Sequence, residues 1–341
     1  MAMLLKKSSK ELNVSPTINR ISNIEILRII FAFLIVGIHM PAIGFSYIYP
    51  IVRCAVPFFF FVSGFFMYKP NSGDFRKSII KNIVKWTKLY ILYLIIFLII
   101  SVGLKYFLHN IFDFQKSDLL FWIKEGMCPF VDVIKFGTKS YGITTLWFLY
   151  AGIIAFCSLK FFYCTIYNKY SLPLILTIFF IFLSINIYFN QNLIPRFALI
   201  AIPHVFLGAY IRCHKEEIKK RFNSQRRLYI VLVCCIILAY LEYLILERNY
   251  HEIFYTTPLL TVCIFLVAIY SSTWSTAIKH MPSKCTLDIY IWHRLIYFIL
   301  ILMGINFSKW STPCVFILVF ALSYILRKYK FTSQCLKYNK N

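Results

Sequence analysis

The stretch NIEILRIIFAFLIVGIHM, residues 23–40, decides how the rest of the chain is read. Apart from Asn23, Glu25, Arg28 and His39 it is apolar or small, and its length suits one membrane-crossing helix. At about 100° per residue, the step from Arg28 to His39 closes about three turns, so both side chains project from one face about 16 Å apart. Glu25 falls on nearly the same stripe. An ionisable side chain at membrane depth costs roughly 2.5–3.5 kcal/mol on the lenient insertion scale, and it normally faces protein or a water-filled cavity. The stripe therefore reads as a functional axis along one helix.

Working outward, the 341-residue chain is 60% hydrophobic and 15% charged, with a mean hydropathy of +0.70, outside the soluble-protein balance. With Phe at 35 and Tyr at 24 against 11 Gly, and no alternating ten-residue pattern, the composition favours lipid-facing helices over a β-barrel. The fold expected is an all-α polytopic membrane helix bundle with about ten transmembrane helices. The apolar segments lie near 23–43, 51–68, 89–105, 143–159, 171–189, 197–211, 228–246, 253–271, 285–303 and 312–326. A net charge of +24 would suggest nucleic acid in a soluble protein, but its distribution supplies another reason. With the N-terminus inside, 26 Lys and Arg fall on the inner connections and 8 on the outer ones, which places both termini in the cytoplasm. No nucleic-acid partner is expected.

The division expected is a basic cytoplasmic leader at 1–22, one membrane domain at 23–326 and a basic cytoplasmic tail at 327–341. The leader lacks a small-residue cleavage site before a short apolar core, so it does not read as a signal peptide. Eleven cysteines show no metal-ligand spacing; most read as small buried hydrophobes, with a Cys54–Cys128 disulfide as the alternative for that pair, and no metal is expected. Residues 106–142 form the longest outer connection. Residues 74–88 (DFRKSIIKNIVKWTK) place Lys77, Lys81, Lys85 and Lys88 near steps of four, which predicts a basic amphipathic helix at the inner membrane surface, anchoring to anionic lipid or binding phosphate.

The motifs resemble those of the acyltransferase 3 family of integral membrane acyltransferases. The resemblance rests on Asn23–Arg28 with His39, on Arg53-Cys-Ala-Val-Pro-Phe-Phe-Phe-Phe-Val-Ser-Gly64, on Leu146-Trp-Phe-Leu149, on Pro203–Gly208 preceded by Arg196, and on Ile289-Tyr-Ile-Trp-His293. These five elements occur in the family's order and span nearly the whole chain. Lys85-Trp-Thr-Lys88 stands where family members often carry Arg-x-x-Arg, which keeps charge without the bidentate fork. Thr144-Thr145 replaces a frequent Gly-Pro.

The resemblance implies transfer of an acyl group from cytoplasmic acyl-CoA, acetyl-CoA or another, to an extracytoplasmic sugar or glycan hydroxyl across a bacterial cytoplasmic membrane. It marks His39 as the catalytic imidazole, either general base or acyl carrier, against the alternative of a core histidine. Arg28, assisted by Glu25, becomes a donor-phosphate or thioester ligand, or else an ion pair. Lys85, Lys88 and Trp147 join the donor site, whereas Trp147 alone reads equally as an interfacial anchor. Arg53, Ser63 and His293 become acceptor-side residues. Pro57, Ser63 and Gly64 are expected to let the second helix pack closely on the first. His204 reads as structural and Glu242 as solvated. A separate acyl-accepting partner protein also fits a chain with no esterase-like domain. The rival readings are an amino-acid transporter and a polysaccharide-export accessory protein without catalysis.

Overall fold

A backbone inside lipid has no water to bond, so apolar runs of this length close their amides internally as helices. The computed structural model describes residues 17–40, 44–112, 143–168, 170–188, 196–222, 224–246, 254–272, 285–305 and 308–328, which contain helices and no strand. In chain order these are α1 (Thr17–His39), α2 (Tyr49–Val52), α3 (Ala55–Met67), α4 (Ser72–Phe112), α5 (Trp147–Phe162) and α6 (Ser171–Tyr188). There follow α7 (Arg196–Cys213), α8 (Lys215–Arg221), α9 (Gln225–Ile245), α10 (Thr257–Tyr270), α11 (Thr286–Leu302) and α12 (Ser311–Lys328). A helix stands on each predicted span. Among the described residues four stretches, Tyr49–Met67, Trp147–Tyr167, Gln225–Ile245 and Ser308–Ile325, are long and apolar enough to cross a membrane.

The outer surface carries apolar side chains at helical spacing. On α4, Ile91, Ile95 and Ile99 are exposed, and on α9 so are Ile230, Val233, Ile237 and Leu241. In water such faces would be costly, whereas hydrocarbon covers them without penalty. The interior is built of phenylalanine. Phe58, Phe60, Phe61, Phe156 and Phe265 are fully buried, and Phe31 meets Phe58 at 4.5 Å between ring centroids.

Three sequence expectations are corrected. Residues 74–88 are not a separate surface helix but the first part of α4, whose 41 residues run about 60 Å at 1.5 Å per residue. Phe75 and Ile79 of that segment are fully buried, with Phe75 against Tyr68 and Tyr163, so protein takes part of the apolar face assigned to lipid, while Ile80 and Val84 stay exposed. Gly64 makes its closest approach to α7, not to the first helix. A Cβ on Gly64 would lie 2.0 Å from the Val205 carbonyl oxygen, and one on Gly208 would lie 2.0 Å from that of Phe61. Two backbones touch there, and only a hydrogen fits between them. Glu242 is not free in solvent. Its carboxylate accepts the Tyr255 and Thr256 amides at 2.5 and 2.9 Å and the Thr256 hydroxyl at 2.6 Å, closing the N-terminus of α10.

α4 also extends to Phe112, shortening the predicted outer connection; residues 113–142, Cys128 among them, lie outside the described residues. Cys54 is buried, with its thiol pointing at the Pro50 carbonyl.

Candidate active site

The stripe on α1 meets two different environments. At one end, Arg28 Nη1 donates to Glu25 Oε1 at 3.0 Å, and the guanidinium carbon lies 5.7 Å from the centroid of the Phe66 ring. The pairing is incomplete: Glu25 Oε2 and Arg28 Nε are buried without a hydrogen-bond partner. Buried polar atoms left so cost about 1–3 kcal/mol each, which suits a place that a polar ligand enters.

Beside them is a cavity of about 320 Å³ between α1, α3, α4, α5 and α11, within the range of small-ligand sites. Arg28, Ser63 and Lys85, three residues singled out in the sequence, line it together. Ser63 Oγ donates to the Phe59 carbonyl at 2.8 Å, leaving its lone pairs available. Asn82, Trp86 and Tyr290 also line the cavity and were missed. The signal for Asn82 and Trp86 was their place beside Lys85 on an amphipathic turn. Trp86 is seated by Gly152 of α5, where a Cβ would lie 2.1 Å from the indole. Lys88 is exposed on α4 outside the cavity wall, and Trp147 is half-buried against the core while its neighbour Phe148 lines the cavity. A larger depression on α9, lined by Arg226, Tyr229 and Val233 among others, belongs to that single helix and gathers no catalytic set.

At the other end of the stripe, His39 closes α1 and stacks on His293 of α11, with ring centroids 5.2 Å apart and planes inclined by 28°. His39 is exposed, whereas His293 is fully buried. His293 Nδ1 lies 3.1 Å from the Ile289 carbonyl oxygen. A carbonyl only accepts, so the neutral tautomer assigned here carries its proton on Nδ1, and the unpartnered Nε2 presents a lone pair.

Arg53, the remaining predicted residue, caps α2. Its Nε donates to the Tyr49 hydroxyl at 2.7 Å, its Nη2 reaches the same oxygen, and its guanidinium lies 4.7 Å from the Tyr49 ring centroid. Tyr49 in turn packs on Tyr243 and Phe254, so Arg53 is held from the α9–α10 side. Asn23, quoted in the motif but given no role, is fully buried and donates to the Ala268 and Ser272 carbonyls at 3.0 Å each, tying α1 to the end of α10.

A family profile described as an acyltransferase domain, acyltransferase 3, matches residues 21–328. The chain belongs to the acyltransferase 3 family. The match covers most of the 341 residues and contains all five motif elements, from Asn23 to His293. Comparison with curated proteins and with solved structures returns no match. The protein is thus a membrane acyltransferase.

Proposed function

We propose that this acyltransferase moves an acyl group, acetyl being the simplest, from cytoplasmic acyl-CoA to a hydroxyl of a cell-surface glycan or lipid-linked sugar. The observation that carries the reading is the meeting of Arg28, Ser63 and Lys85 on one cavity, with His39 farther along the helix that bears Arg28. About ten helices cross the bilayer, both termini lie in the cytoplasm by the charge asymmetry, and the cavity mouth near Lys85 faces inward. The donor's phosphates rest near Lys85 and Lys88, and its pantetheine arm enters past Arg28.

The acceptor hydroxyl approaches from the opposite side. His39 takes its proton as the oxygen attacks the thioester carbonyl; the carbon–sulfur bond then breaks, and the same proton goes to the departing CoA thiolate. A stacked neutral His293 holds the imidazole in place through both protonation states. Arg53, on the same side, favours an anionic or hydroxyl-rich acceptor.

Sealed vesicles of known orientation test the reading. Labelled acetyl-CoA supplied to the cytoplasmic face is expected to label envelope glycan on the other face. Uptake of an amino acid without any CoA requirement, and no glycan labelling from either face, would contradict it and favour a transporter.

A further inference from the structure

Among the described residues, neither His39 nor His293 belongs to the wall of the Arg28 cavity. A layer of aromatic rings stands between them. α3 runs opposite to α1, with Phe66 near Arg28 and Phe58 near Phe31, whereas α11 brings His293 to His39. The lining residues farthest from the Arg28 end are therefore Phe59 on α3 and Tyr290 on α11, and α5 contributes Phe148. The three rings touch in sequence: Phe59 to Phe148 at 6.4 Å and Phe148 to Tyr290 at 4.6 Å between centroids. Tyr290 then meets His293 edge-on at 6.0 Å. Phe148 and Tyr290 are each only 4% exposed, and Phe148 is backed by Phe60 at 4.5 Å, so the layer leaves little room for water.

We propose that Tyr290, with Phe148 and Phe59, selects the acyl acceptor by parting the donor cavity from the histidine pair until the transfer itself. The inference rests on the donor occupying the Arg28 cavity. Two nucleophiles compete for a thioester. A sugar hydroxyl gives an ester and CoA thiol. Water gives the free acid and CoA thiol, its oxygen forming the new bond to the carbonyl carbon and one of its protons passing to the departing sulfur. Small and abundant, water wins wherever it reaches the carbonyl freely, and a closed site excludes it. The rings must shift for the acyl group to meet His39, so passage is coupled to ring movement, and the shut layer keeps idle donor from hydrolysis. Tyr290 is the central member because, among the described residues, it is the cavity-lining ring that packs on His293.

The test uses the full chain in nanodiscs, with a non-cleavable thioether analogue of acetyl-CoA to measure donor binding and acetyl-CoA to measure thiol release with and without a glycan acceptor. In Tyr290→Ala, acceptor-free hydrolysis is expected to rise about tenfold relative to glycan transfer while the analogue still binds. Tyr290→Phe, which keeps the ring, should hold the wild-type ratio. A Tyr290→Ala protein that binds the analogue and keeps the wild-type ratio overturns the partition while leaving the donor site standing. Wild type that fails to bind the analogue overturns the donor site and the partition with it. Should Tyr290→Ala not fold, Phe148→Leu decides the matter: a raised ratio supports the partition, and an unchanged one overturns it.

Discussion

Arg28 shows how much can turn on one fork of donors. Its guanidinium gives one bond to Glu25 and leaves Nε without a partner beside the cavity. Lysine would keep the charge and lose the planar geometry, so Arg28→Lys is expected to raise the donor KM about tenfold with a smaller change in kcat, read by steady-state kinetics over acetyl-CoA concentration. Gly152 acts through Trp86. The indole occupies the space a Cβ would need, so Gly152→Val should push Trp86 toward the cavity and weaken donor binding more than thermal stability, measured by analogue titration beside a melting curve. Arg28 and His39 were legible because their relation is local: eleven residues of one helix fix their shared face. Tyr290 and Phe148 were quoted within motifs, yet no spacing says that they meet. That contact depends on how α5 and α11 pack, and it is written in no single segment.

Between elements, the shortest distances are the most exacting. Gly64 and Gly208 let α3 and α7 approach until each glycine faces a carbonyl of the other helix. A methyl group at either place requires the backbones to part, and Gly64→Ala or Gly208→Ala should each cost about 1–3 kcal/mol, seen as a lower Tm and reduced yield of folded protein in detergent. The sequence showed that Gly64 allows a close approach; only the packed bundle names α7 as the neighbour. Glu242 teaches the same lesson across a connection. Its bonds to Tyr255 and Thr256 span thirteen and fourteen residues, beyond the reach of helix periodicity. Glu242→Gln keeps the shape but weakens the charge-assisted acceptance, and a loss of about 0.5–2 kcal/mol in unfolding free energy is expected.

Across the whole molecule, fold class followed from composition because apolar runs in lipid permit few structures, and every predicted span carries a helix. The limits of α4 were less legible. Its polar first turns and apolar remainder change character midway, which reads as two elements, whereas Phe75 and Ile79 of the first part and Tyr93 and Phe97 of the second pack into the same core. The continuous helix carries the basic segment with Lys85 and Lys88 and contributes Asn82, Lys85, Trp86 and Leu89 to the cavity, so charge and cavity wall share one element. High salt should therefore weaken donor capture through its screening of the exposed lysines, and less so the catalytic step, a difference that KM and kcat at two ionic strengths would separate.

The proposed acyl transfer through His39 is tested by release of CoA thiol from acetyl-CoA by the protein in nanodiscs, with and without an envelope glycan fraction, for wild type and for a folded His39→Ala variant. Glycan should stimulate release by wild type, and the variant should lose at least about a hundredfold of that stimulated rate. Equal stimulated release from both proteins would contradict the account.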